Sequence, residues 1–416
     1  MVTGRLSRDY WWFWAASTLS NLGDGLRLVA LPLLAVTLTR EPLLISGVTA
    51  LTYLPWLLLG PVTGAVVDRA DRRRLLIGVQ AARGVVATVF AVAVATGAVN
   101  LLILYVTATA IAIGETLADS AAQASVPKLA AADQLEVANG RLLSAQMVTN
   151  QIAGAPIGGA LFALAAAAPF FLDAGTYLAA TLFVWFVRTD LRPTPDLDAP
   201  ADVTSKMSAD VVDGLRYVWT HQLLRPIAIS AGLANFGAAA VGAVFVLFAI
   251  ELLEVSAFGY GLLIAVGAAG GLLGALTAGR LVTRWHRRTV MVSTVTVSAA
   301  STAGLAAARG PLLAAAMLFI TAASIASRNV VAQSLRQAIP PARMLGRVIT
   351  GVRVIGLGPA PLGAIVGGAI ASTAGLRAPF LLAALAVGAA AAVLAATMHR
   401  DAIDAAIAGN RDLQHR

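Results

Sequence analysis

Gly64 to Leu76 reads GAVVDRADRRRLL, with six charges in the seven positions from Asp68 to Arg74, in a chain of which only 12% is charged. Apolar runs flank this knot on both sides, which marks it as a loop between two membrane-crossing helices. Working outward, stretches of about 20 mainly apolar residues, enough to cross a hydrocarbon core of roughly 30 Å, recur from Tyr10 to His399. They predict twelve spans, at residues 11–37, 42–67, 75–97, 100–124, 140–164, 168–187, 226–252, 257–282, 289–308, 311–334, 348–373 and 378–398. The whole chain agrees: 58% of its 416 residues are hydrophobic and its mean hydropathy is +0.81, more apolar surface than a water-soluble globule requires. The expected class is an all-α membrane protein. A first span that begins so early and runs so long argues against a cleaved signal peptide. Zero cysteines exclude disulfides and thiolate metal sites.

A net charge of +9 points to nucleic acid in a soluble protein. Laid over twelve spans, 21 of the 30 Lys and Arg fall in loops on the side of the N-terminus. Three, Arg40, Arg309 and Arg377, fall on the other side, and six lie within or at the edges of spans. The positive-inside rule makes the crowded side cytoplasmic. Both termini are therefore expected in the cytoplasm, and the basic balance sets topology rather than nucleic-acid binding.

Residues 188–225 form the only long polar segment, and its RPTPDLDAPAD stretch, Arg192 to Asp202, is rich in helix breakers. It divides the chain into an N-terminal six-helix bundle, 1–187, a cytoplasmic linker, 188–225, a C-terminal six-helix bundle, 226–400, and a cytoplasmic tail, 401–416. In the linker, Met207, Val211, Val212, Leu215, Val218 and Trp219 recur at helical spacing, predicting an amphipathic helix either on the cytoplasmic membrane face or in solvent. The two bundles repeat one another. At a shift of 215, Gly64, Asp68, Arg69, Arg72 and Arg73 lie over Gly279, Thr283, Arg284, Arg287 and Arg288; at 214, Asn21 and Gly23 lie over Asn235 and Gly237. Pro156 over Pro361 and Pro169-Phe170 over Pro379-Phe380 follow in the same order. Two pseudo-symmetric six-helix bundles around a central site are the plan of an alternating-access transporter.

The Gly64 loop resembles the signature Gly-x-x-x-Asp-Arg-x-Gly-Arg-Arg of the major facilitator superfamily, matched by Gly64, Asp68, Arg69, Arg72 and Arg73, with Asp71 where the family usually has its second glycine. NLGDG followed by ALPLL in span 1, GPVTG at Gly60 to Gly64, and VPKLAAADQLEVAN before span 5 are similar to the macrolide-efflux and siderophore-exporter branch. The resemblance implies a twelve-helix facilitator of a bacterial cytoplasmic (inner) membrane, with a gating role for the loop. Asp68 stands at a helix C-terminus, where a negative charge needs a donor or the positive end of another helix, and the start of span 11 near Val348 would supply that end. Arg69, Arg72 and Arg73 are expected to bridge to Asp119 or Asp133, and the second copy contributes Gly279, Arg284, Arg287 and Arg288. Gly60 and Gly64 are expected to bring span 2 close to a neighbouring helix.

Ionisable residues inside spans are costly and are functional candidates by default. Asn21, Asp24 and Arg27 in span 1 fall at i, i+3 and i+6 and project to similar sides of one helix, while Asn235, Ala238 and Val241 at the repeat positions carry no charge. Asp24 and Arg27 either serve proton exchange or form a permanent packing pair. Glu115 in span 4 is the second acid, and Arg83 in span 3 either neutralises one of these acids or belongs to the loop cluster. Asp173 and Arg328, nearer span ends, are expected to be structural. Gly154-Ala155-Pro156-Ile157-Gly158-Gly159 in span 5 resembles the Gly-Pro-x-x-Gly-Gly of family antiporters with the proline one place late, and predicts a bent, closely packed helix. Tyr53 and Trp56 in span 2, with Asn235 and Phe236 in span 7, either line a cavity for a bulky amphipathic substrate or serve packing.

No H-E-x-x-H or G-x-S-x-G arrangement occurs, and neither lysine, Lys128 or Lys206, follows the glycine of a phosphate loop. An enzyme or an ATP-driven pump is not expected. The reading is a monomeric exporter of a small amphipathic molecule, drug, macrolide-like or siderophore-like, exchanged for protons, with no cofactor and the proton gradient as energy source. Import, lipid or glycolipid carriage, and uncoupled scrambling are its rivals.

Overall fold

The computed structural model describes residues 6–192, 203–340, 344–401 and 403. Arg5, Arg343, most of the Arg192–Asp202 stretch and the tail beyond residue 403 lie outside the described residues, as do the side chains of Gly60, Lys206, Met207 and Val211. Among the described residues there is no strand, and twelve helical segments are long and apolar enough to cross a membrane. Each falls on one of the twelve spans read from the sequence.

The first six spans are α1 (Arg8–Leu38), α2 (Pro42–Arg69), α3 (Arg72–Ala95), α4 (Leu101–Leu129), then α5 (Leu135–Gln146) joined through a π-helical segment (Met147–Gly154) to α6 (Ala155–Leu164), and α7 (Ala168–Trp185). The helix α8 (Val203–Thr220) follows. The last six are α9 (Leu224–Leu247), α10 (Ala257–Arg284), α11 (Arg287–Ala306), α12 (Pro311–Ala338), α13 (Leu345–Leu357) running into α14 (Pro359–Ala374), and α15 (Ala378–Thr397). The chain forms two compact units. Unit 1 holds Met1–Arg40, Leu51–Pro200 and Val255–Ala265; unit 2 holds Glu41–Ala50, Ala201–Glu254 and Val266–Arg416.

The repeat read from the sequence has matching local chemistry in both units. Asp71 Oδ1 accepts from the N–H groups of Arg73 and Arg74 at 3.0 and 3.3 Å and starts α3. Its counterpart His286, 215 residues on, accepts from the Arg288 N–H at 3.1 Å and starts α11. The acid at the family's glycine position is thus a helix cap, supplying an acceptor to N–H groups that a helix start leaves unpaired. Arg73 Nη2 donates to the Trp185 carbonyl at 2.6 Å, and Arg288 Nη2 to the Ala395 carbonyl at 2.7 Å. Trp185 and Ala395 are related by the shift of 210 that relates Pro169 to Pro379. In each unit, a guanidinium satisfies an orphan carbonyl at the end of the sixth span.

Glycines set the closest helix approaches. A Cβ on Gly25 of α1 would strike the Asn150 backbone in the π segment, and one on Gly158 of α6 would come 2.6 Å from the Leu26 carbonyl oxygen. Pro156 has no N–H to return to the preceding turn, and that turn is the end of the π segment. Span 5 is therefore closely packed, as expected. Gly64 differs from expectation: a Cβ there would meet nothing within 4 Å, so it mediates no close approach. In unit 2, α8 packs on α13. Gly214 presses on the Arg347 backbone of α13, Gly351 returns the contact at 2.8 Å, and Val218 is fully buried.

Candidate functional site: a buried charge network in unit 1

Two pairs of residues one helical turn apart face each other inside unit 1: Asp24 and Arg27 on α1, Asp173 and Tyr177 on α7. Between them stand Arg83 of α3 and Glu115 of α4. Asp24 Oδ1 is the hub. It accepts from Arg83 Nη2 at 2.5 Å, from Arg27 Nη2 at 2.7 Å and from the Tyr177 hydroxyl at 2.7 Å. Arg27 Nη2 also donates to Glu115 Oε2 at 2.9 Å. Arg83 Nη2 donates to the Tyr177 oxygen at 2.8 Å, while its guanidinium lies 4.1 Å from the centre of that ring. Its Nη1 reaches Ser20 Oγ and Gln80 Oε1, both at 3.3 Å. Asp173 Oδ2 comes within 3.9 Å of Arg27 Nε, and neither Asp173 oxygen has a hydrogen-bond partner.

The surroundings explain why these charges stay together. Asp24, Arg27, Arg83 and Asp173 are all buried, walled by Ala87, Ile111 and Ala174. A buried charge persists when it is paired and hydrogen-bonded. Glycines make the room: a Cβ on Gly114 would come 2.8 Å from the Arg83 stem, and one on Gly23 would strike Asp173 and Thr176. Glu115 alone keeps a partly exposed side chain, 24%. The arrangement can hold a proton and redistribute two cations among three carboxyls. Among the described residues, no three His, Cys, Asp or Glu are placed to bind a metal ion.

Among the described residues, unit 2 has no equivalent network. At the repeat shifts, Ala238, Val241, Ser298, Ala383 and Val387 stand where Asp24, Arg27, Arg83, Asp173 and Tyr177 stand in unit 1. Gly237 packs on Ala383 as Gly23 packs on Asp173. The geometry is repeated and the chemistry is not.

Asp24, Arg27 and Glu115 therefore come together as the sequence suggested, and Arg83 joins the acids rather than the loop. Asp173, read as structural from its place near a span start, belongs to the network. Tyr177 was missed; its signal was its position one turn from Asp173, with Val387 in the other repeat. The loop differs more. Arg72 Nη1 donates to the Ala124 carbonyl at 2.8 Å and Arg73 to Trp185, so these two guanidiniums reach backbone carbonyls rather than Asp119 or Asp133. Asp68 is 76% exposed and 3.9 Å from Arg72; Arg69, Gly279 and Arg284 are exposed, while Arg287 is partly buried. Asp119 lines a cavity of about 330 Å³ with Asn21, Ser17, Gln123 and Asn139. A second, more open groove of about 660 Å³ lies beside it, lined by Trp11, Trp14, Thr18, Arg141 and Ser144. Tyr53 and Trp56 line neither. Asn235 Nδ2 donates to the Gly356 carbonyl at 2.8 Å, joining α9 to α13.

The sequence profile of the family described as transmembrane secretion effector matches residues 6–413. The chain belongs to this family of the major facilitator superfamily. This secretion-effector-family protein is 28% identical over 381 residues to the multidrug efflux pump Tap of Mycolicibacterium fortuitum, covering 89% of this chain and 91% of that one. It is 26% identical over 373 residues to the MFS-type transporter y4rN of Sinorhizobium fredii, covering 89% and 90%. Its fold matches the nucleoside transporter NupG with a TM-score of 0.78 at 11% identity, over 94% of this chain and 100% of that one. It matches a bacterial homologue of the iron transporter ferroportin, in an inward-facing state, with a TM-score of 0.73 at 16% identity, over 94% and 98%. The protein is a multi-pass membrane transporter of a small molecule, built as two pseudo-symmetric six-helix bundles, and not an enzyme.

Proposed function

We infer that the protein exports a small amphipathic molecule of the drug class from a bacterial cytoplasm in exchange for protons, as a monomer with both termini cytoplasmic. The observation that carries this reading is the network of two guanidiniums and three carboxyls, found among the described residues in unit 1 and partly exposed at Glu115. Charges inside a membrane span are costly to keep and mark ion pathways and proton relays. Export rather than import follows the relative named as a multidrug efflux pump, and the Arg- and Lys-rich loops support the orientation. Two six-helix halves moving about a central site would provide alternating access, with the Asp68 loop as the cytoplasmic gate.

The test is accumulation of ethidium, a macrolide and a ferric siderophore in everted membrane vesicles, with and without a protonophore. Export by antiport predicts accumulation of at least one probe, abolished by the protonophore and absent in Asp24→Asn. Equal flux in both directions, indifferent to the protonophore, would instead mean scrambling. Asp68→Asn is expected to stop transport without loss of protein from the membrane, because an exposed side chain contributes little to folding.

A further inference from the structure

We propose that Asp173, rather than Asp24, is the carboxyl that takes up and releases the coupled proton, with Arg27 as the cation that turns to it when the proton leaves. The proposal rests on the antiport reading and names the proton site within it. Three carboxyls face two guanidiniums. Asp24 accepts three hydrogen bonds at Oδ1, from Arg27, Arg83 and Tyr177. Glu115 accepts from Arg27 at 2.9 Å, stands 3.9 Å from Arg83, and is partly exposed. Two cations and these two anions balance. Asp173 is the third carboxyl, with a side chain 1% exposed and no donor to either oxygen. An anion so placed would carry the desolvation cost of a buried charge without the hydrogen bonds that offset it. The arrangement is that of a neutral acid.

The same geometry contains the second state. Arg27 Nε is a buried N–H with no partner, 3.9 Å from Asp173 Oδ2. When the Asp173 O–H bond breaks and the proton passes to water at the partly exposed Glu115, the new carboxylate has a donor within a small rotation of Arg27. That rotation draws Nη2 away from Asp24 and Glu115, so the lost proton becomes a change in how α1 is held to α4. Every charged or titratable group facing Asp173 belongs to this exchange: Asp24 and Arg27 from α1, Arg83 from α3, Glu115 from α4 and Tyr177 from α7 itself. The helix α6 also packs on α7 and has no titratable residue. On the α1 side, Gly23 lies against Asp173 and offers no side-chain donor.

The experiment uses the full-length protein in liposomes, first wild type, then Asp173→Asn, Asp24→Asn and Glu115→Gln, each checked for monodisperse elution and thermal melting. Two transport readouts are compared for ethidium: accumulation driven by a pH gradient, and equilibrium exchange with no gradient. Asp173→Asn is expected to lose accumulation down to the level seen with protonophore while still exchanging. Asp24→Asn, which removes the hub of both guanidiniums, is expected to lose both. Infrared difference spectra of the wild type between acid and alkaline buffer should show a neutral carboxyl band that disappears in Asp173→Asn and persists in Glu115→Gln. Gradient-driven accumulation by Asp173→Asn at the wild-type level, or a carboxyl band unchanged in it, would overturn the assignment alone. A wild type that accumulates no probe in response to the gradient would overturn the antiport reading with it. If Asp24→Asn separates exchange from accumulation and Asp173→Asn does not, the proton belongs to Asp24.

Discussion

Arg83 of α3 bonds to Asp24 of α1 at 2.5 Å, with its guanidinium 4.1 Å from the centre of the Tyr177 ring. Its two outer nitrogens serve four acceptors, on Asp24, Tyr177, Ser20 and Gln80. Removing one partner of a buried pair costs about 3–5 kcal/mol, because the other is left unpaired. Arg83→Ala is therefore expected to lower the melting temperature of the purified protein sharply and to reduce its amount in the membrane. Arg83→Lys should not rescue it, since an ammonium cannot reproduce the planar fork. Wild-type melting of Arg83→Lys would count against this account.

Tyr177 gives a milder probe of the same hub. Its hydroxyl donates to Asp24 and accepts from Arg83, and hydrogen bonds to charged groups contribute roughly 1.5–3 kcal/mol. Tyr177→Phe keeps the ring and its packing. It should fold, melt a few degrees lower, and show a shifted pH dependence of ethidium exchange, measured in liposomes across neutral pH.

Two glycines separate close packing from open space. Gly25→Ala places a methyl group against the Asn150 backbone, and overpacking of this kind costs about 1–3 kcal/mol. Gly64→Ala places one where nothing lies within 4 Å. The first is expected to reduce yield and melting temperature, and the second to leave both unchanged in a detergent melting assay.

His221 supplies a pH-dependent cap. Its Nδ1 accepts from the N–H groups of Leu223 and Leu224 at 3.2 and 3.4 Å as α9 begins, and burial lowers the imidazole from its ordinary 6.5. The folded chain thus binds this proton less readily than the unfolded one. The cap's contribution is complete above about pH 6.5 and is lost as the pH falls towards the lower folded value. His221→Asn keeps an acceptor that does not titrate. The stability advantage of the wild type over this variant should shrink as the pH is lowered from about 7 to 5, measured by melting temperature.

The twelve spans were legible because each is a run of apolar residues long enough to declare itself, and the loop from Gly64 to Leu76 because its charges interrupt such a run. The pairing of Asp24 with Arg27 was legible because both lie on one helix, where spacing fixes direction. Asp173 was not. Its distance from the start of α7 says where it lies along that helix and nothing about how the end of α7 is set against the middle of α1, which packing of side chains from distant parts of the chain decides. Arg72 and Arg73 fail for a related reason: the sequence displays carboxylates as partners, whereas the carbonyls of Ala124 and Trp185 carry no sequence signature.

The wide turn between Met147 and Gly154 has a consequence for how this chain tolerates length changes. An α-helix advances about 100° per residue, and a π segment absorbs an extra residue that an α-helix cannot. Deleting a single residue within it would let the segment relax to ordinary winding with the downstream face kept, whereas a second deletion, with no extra residue left to absorb it, would swing everything downstream around the axis. Gly158 would then leave Leu26, and a bulkier neighbour would turn inward to meet the first span. The spacing between Leu135 and Gly158 thus has one residue of slack and no more.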